Sequence, residues 1–68
     1  MKMATDSRGR GWICLELPET PGKLPAGKVE VECNSGAERV NLILNEGWAD
    51  AMSAEDVAAA IESSLGRS

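Results

Sequence analysis

The chain has no histidine, no phenylalanine and no tyrosine, and only two cysteines among 68 residues. Without imidazole it lacks the commonest general base and the commonest metal ligand, which excludes imidazole triads and dyads and most zinc sites. Two cysteines alone cannot build a structural zinc site. Neither Gly-x-Gly-x-x-Gly nor Gly-Lys-Ser/Thr occurs, so no phosphate-binding loop or dinucleotide fingerprint is present. No catalytic residue, metal ligand or cofactor-binding residue is expected, and the chain reads as non-enzymatic. Long apolar runs are also missing. No stretch approaches the roughly 18 consecutive apolar residues of a membrane span, and MKMATDSRGR carries no apolar export segment. A cytoplasmic location and no membrane partner are therefore the expectation, with both cysteines reduced.

Aromatic side chains are scarce: Trp12 and Trp48 are the only two. The core must then come from Val, Ile, Leu, Met and Ala, which bury less area per residue. A chain of this length buries only about 60% of the surface it exposes when unfolded. Marginal stability, or support from a second copy, is the expected consequence. Hydrophobic residues make up 43% of the chain, enough for a globular fold. Eleven acidic residues against seven basic ones leave a net charge of −4, which disfavours non-specific binding to phosphate backbones and anionic lipid. The basic exception is the start of the chain, with Lys2, Arg8 and Arg10.

Periodicity divides the chain into a flexible N-terminal tail over 1–10 and a single α+β domain over 11–68. The tail shows no periodicity. From Trp12 to Leu17 the pattern alternates, which predicts a strand with Ile13, Leu15 and Leu17 on its apolar face and Trp12, Cys14 and Glu16 on the other. The stretch PETPGKLPAG predicts an extended, partly rigid connection. Residues 28–45 hold two alternating runs around Asn34-Ser35-Gly36-Ala37, a hairpin signature. Turning at Ser35-Gly36 sets Val31 opposite Val40, Val29 opposite Leu42, Glu32 opposite Arg39 and Lys28 opposite Ile43. Trp48 falls in a loop, where it is expected to pack over the open end of the sheet.

A helix is predicted from Ser53. Ser53 and Asp56 form a capping box, Glu55 and Asp56 oppose the positive helix end, and Met52 with Val57 makes a hydrophobic staple. Ala54, Val57, Ala58, Ile61 and Leu65 form one apolar stripe, Gly66 ends the helix, and Arg67 suits its negative end. The expected fold is thus a three-stranded, mainly antiparallel sheet in β-β-β-α order with one C-terminal helix on one face.

Two large aromatics in a ring-poor chain are either packing anchors or binding anchors. Cys33, on the face of Val29 and Val31, reads as core. Trp12 and Cys14 face away from the apolar side of their strand and read as exposed, together with Glu16, Glu30, Glu32 and Ile43; these six are the candidate partner-binding residues. Glu16, Glu30, Glu32 and Glu38 also read as a solvated acidic face. If the strands of Cys14 and Cys33 are neighbours, an intramolecular disulfide remains open; periodicity does not decide it.

The segments GKVEVECNSGAERVNLILN and MSAEDVAAAIESSL resemble the strand pair and closing helix of the YbaB/EbfC family of small nucleoid-associated proteins. The likeness covers about half the chain and implies a dimeric DNA-binding protein. Where that family begins with a long helix, residues 12–17 alternate as a strand, and no functional residue is carried over. Three functions are therefore expected in turn: a protein-interaction module that binds a protein partner or itself through its sheet; a YbaB-like dimeric DNA-binding protein; and an acidic adaptor or inhibitor of a basic protein.

Overall fold

The computed structural model describes residues 1–18, 24–36 and 38–66. It is an α+β arrangement: β1 (Lys2–Thr5), β2 (Gly11–Glu16), β3 (Lys28–Ser35) and β4 (Glu38–Asn45), then α1 (Trp48–Ala51) and α2 (Ala54–Ser64). The strands form one antiparallel sheet in the order β1-β2-β3-β4, and α2 packs against it. The sheet has four strands rather than three.

The added strand lies within the stretch expected to be a tail. Asp6 and Arg10 close a three-residue loop, with Asp6 N–H donating to Arg10 O at 2.9 Å and Gly9 N–H to Asp6 O at 3.0 Å. Gly9 adopts φ 80°, the left-handed geometry that ends a three-residue hairpin loop. The Asp6 carboxylate fixes this loop from inside. One oxygen accepts from the Arg8 and Arg10 amides, each at 2.9 Å; the other accepts from Trp12 Nε1 at 3.0 Å and lies 3.5 Å from Arg10 Nε. Arg10 also pairs with Glu38 and sits 5.7 Å over the Trp12 ring centre, tying the first hairpin to the start of β4. Asp6 is buried, and each of its oxygens accepts a hydrogen bond, as a buried carboxylate requires.

The second hairpin forms where expected but in a different register. Ser35 stands opposite Glu38, Val31 opposite Leu42 and Val29 opposite Leu44. Relative to the expected pairing the strands have slipped by two residues, which keeps every side chain on its face. The turn explains the slip. Gly36 occupies the first central position, with φ 56°, where primed hairpin turns need a left-handed residue. Glu32 now faces Asn41, and its ion pair with Arg39 survives as a diagonal contact at 3.9 Å.

The largest correction concerns β2. Trp12 and Cys14 are fully buried, whereas Ile13 and Leu15 are 43% and 44% exposed. Cys14 lies opposite Cys33 and Glu16 opposite Val31, and residues opposite one another share a face. Trp12 and Cys14 therefore join Val29, Val31, Cys33, Val40 and Leu42 beneath Val57, Ala58 and Ile61 of α2. An indole fills more of a ring-poor core than isoleucine would, and its N–H finds Asp6 there.

The helix start is as expected. Ser53 Oγ accepts from Asp56 N–H at 3.1 Å, and the Asp56 carboxylate accepts from Ser53 N–H at 3.2 Å. Met52 packs against the core. Ala54 departs from the expected stripe and is exposed. Gly66 follows the helix at φ 79°. Trp48 lies in the short helical turn α1 rather than a loop, is buried, and donates from Nε1 to Glu16 at 2.9 Å. The expectations for residues 19–23 of the connection, for the turn residue Ala37 and for Arg67 lie outside the described residues.

Candidate functional site

Strand alternation leaves one sheet face without a helix, and its side chains can be placed from the register. Met3 on β1 stands opposite Ile13 on β2; Ile13 and Leu15 stand opposite Asn34 and Glu32 on β3; Asn34, Glu32 and Glu30 stand opposite Arg39, Asn41 and Ile43 on β4. The face divides along its length. Its β1–β2 half is apolar, with Met3 65% exposed beside Ile13 and Leu15. Its β3–β4 half is polar apart from Ile43, which is 51% exposed.

Backbone geometry sets how near Met3 and Ile13 stand to one another. The Asp6–Arg10 bond identifies the hydrogen-bonded pairs of this ladder, so Met3 and Ile13, at odd distance from it, form a non-hydrogen-bonded pair, whose side chains approach most nearly. The polar half is bonded within itself. Asn34 Nδ2 donates to Glu32 at 3.0 Å and Asn41 Nδ2 to Glu30 at 3.1 Å, while Arg39 reaches Glu32. These contacts engage both carboxylates within the face.

The six candidate partner-binding residues thus fall into two groups. Glu30, Glu32 and Ile43 share the open face. Trp12 and Cys14 lie in the core, so the expectation that they are exposed is corrected. Glu16 lies at the rim of the covered face, where it accepts the Trp48 N–H. Met3, Ile13 and Leu15 take the place of Trp12 and Cys14 on the open side. Sequence reasoning missed Met3 because it placed residues 1–10 in a tail. The signal was there in Asp6-Ser7-Arg8-Gly9, an Asp-x-x-Gly turn pattern.

A cleft of about 420 Å³ opens at the end of the sheet, lined by Glu16, Leu17, Pro18, Val29, Glu46 and Gly47. Its Glu16 is already engaged by Trp48. Among the described residues, no group of three or more His, Cys, Asp or Glu side chains could hold a metal ion, and no helix is long and apolar enough to cross a membrane. Comparison with family models, with curated proteins and with solved structures finds no match to this chain.

Proposed function

We propose that this domain is a non-enzymatic protein-interaction module that binds through the open face of its sheet, and that the occupant is a second copy of the chain. The observation that carries this reading is the exposed apolar strip of Met3, Ile13 and Leu15 on a face that no other element covers among the described residues. In a module this short a second copy would bury apolar surface that one helix cannot reach.

The division of the face favours self-pairing over a charged partner. A two-fold axis running along the strip stacks apolar half on apolar half and carries the two carboxylate-bearing halves to opposite sides, so Glu30 and Glu32 of the two copies stay apart. The apolar half of the face, two strands about 5 Å apart and about 20 Å long, offers roughly 200 Å² per copy. That is below the roughly 800 Å² per partner of a standard interface, so the dimer is weak and concentration-dependent. The acidic-adaptor reading asks for available carboxylates, whereas Glu16, Glu30 and Glu32 are all hydrogen-bonded within the chain. The DNA-binding reading rests on the YbaB/EbfC resemblance.

Sedimentation over a wide concentration range tests the proposal. The expected result is reversible dimerisation that Leu15→Glu abolishes while the unfolding midpoint stays close to wild type. A chain that remains monomeric at the highest concentrations, or a Leu15→Glu chain that dimerises as before, overturns it. A salt-sensitive shift of duplex DNA by the monomer would favour the nucleoid reading instead.

A further inference from the structure

Two nucleophilic side chains meet in the core of the sheet and have no part in the proposed interface. Cys14 on β2 and Cys33 on β3 stand directly opposite one another, both fully buried and both free thiols. Their pairing type follows from the ladder. Leu17 N–H donates to Glu30 O at 2.8 Å, which makes Leu17 and Glu30 a hydrogen-bonded pair. Counting back three residues along an unbroken register, Cys14 and Cys33 form a non-hydrogen-bonded pair. Such pairs bring Cα atoms to about 4.5 Å, within the range of about 4.4–6.8 Å that a disulfide spans.

We propose that Cys14 and Cys33 are an oxidation site, closing a reversible disulfide between β2 and β3 with a small-molecule disulfide as oxidant. One cysteine, as thiolate, attacks a sulfur of the oxidant RSSR, forming a mixed disulfide and releasing RS⁻. The other thiolate attacks the protein sulfur of that mixed disulfide, forming the Cys14–Cys33 bond and releasing a second RS⁻. The protein loses two thiol protons and two electrons, and RSSR is reduced to two RSH.

Burial sets when this happens. Removal from water, reinforced by the adjacent Cys14 thiol and by the charge of Glu32, pushes the Cys33 thiol far above its ordinary range. Folded Cys33 is therefore a poor nucleophile, both thiols are out of reach of a solution oxidant, and exchange passes through an opened state. Both cysteines lie on the face that α2 covers, so the opening that exposes them is separation of α2 from the sheet. Oxidation is slow from the closed fold, and once made the bridge is shielded by the same packing.

The test is to refold the full chain from denaturant in glutathione buffers of graded ratio until the composition stops changing, then to assay thiols, intact mass and a non-reducing peptide map. The expected product is a single intramolecular Cys14–Cys33 bridge that dithiothreitol reverses and that raises the unfolding midpoint. By linkage with that stabilisation, the pair is oxidised at least about tenfold more favourably under native conditions than in denaturant. Cys14→Ser and Cys33→Ser chains show no oxidant-dependent midpoint shift; if either fails to fold, the wild-type comparison decides alone. Separate glutathione adducts on the two cysteines, bridges between chains, or equal oxidation in native and denatured protein would overturn the proposal.

Discussion

The two faces of β2 carry apolar residues of comparable number and different fates. Trp12 and Cys14 are sealed under α2, while Ile13 and Leu15 stay in contact with solvent. The difference teaches that alternation identifies a strand and its two faces but does not say which of them points inward. On β3 the choice is plain, since Val29, Val31 and Cys33 alternate with Lys28, Glu30 and Glu32. On β2 hydrophobicity is nearly balanced, and partner strands decide.

The strongest way to break this comparison is to truncate one residue on each face. Trp12→Ala is expected to cost about 3–5 kcal/mol, as for other buried aromatics, enough to leave a domain of this size largely unfolded. Leu15→Ala is expected to change stability by about 0.5 kcal/mol or less. Denaturant titration followed by circular dichroism reads both; similar losses would mean that the faces are equally buried in solution.

Next in size is Asp6. Asp6→Ala removes the acceptor for two backbone amides and the Trp12 indole, and leaving buried donors unpaired costs about 1–3 kcal/mol or more. Asp6→Ala should also loosen β1, seen as faster amide exchange at Lys2–Thr5. Unchanged exchange there would mean that the strand is held by pairing alone.

The buried thiol of Cys33 predicts a pH effect confined to the covered face. Its folded pKa lies above its unfolded value, so the neutral form is favoured by folding, and that contribution is fully present below the unfolded pKa of about 8.5. Above that pH the unfolded chain binds fewer protons than the folded one, and stability falls by up to about 1.4 kcal/mol per pH unit. Cys33→Ala should flatten this alkaline decline, measured from denaturation midpoints between neutral pH and about pH 10. An equally steep decline in the variant would place its origin elsewhere.

A modest effect belongs to the helix that covers this face. Ser53→Ala removes one arm of the capping box and should lower stability by about 0.5–2 kcal/mol, read as a lower unfolding midpoint with dimerisation unchanged. An unaltered midpoint would show that packing of Val57 and Ile61 alone fixes the helix start.

Much of the architecture was legible. The capping box, the staple and the terminal glycine all act within one or two turns of chain, so Met52, Ser53, Asp56 and Gly66 marked the helix directly. The β3–β4 hairpin was legible in its faces, because Val29, Val31, Val40 and Leu42 alternate cleanly. Its register was legible only to within two residues, since a slip of two preserves the pattern and the position of Gly36 in the turn settles it. β1 was less visible: four residues around Met3 are too few for periodicity to declare, and their strand exists because Asp6 and Gly9 fold the chain back onto β2. The open face suffered most. Glu30, Glu32 and Ile43 were placed on it correctly by alternation, while Met3, Ile13 and Leu15 could be found only once β2 had been oriented.

By itself, then, the sequence determined those features whose causes are local: an α+β chain without imidazole chemistry, a hairpin over 28–45, and a helix begun at Ser53. Tertiary structure decided the orientation of β2, the recruitment of β1 as a fourth strand, and the meeting of Cys14 with Cys33. Each of these depends on pairings between distant segments. One helix can cover only one face, and the face it covers is the one where the register sets Trp12 and Cys14 beside Val31 and Cys33 and where the Trp12 indole reaches the Asp6 carboxylate.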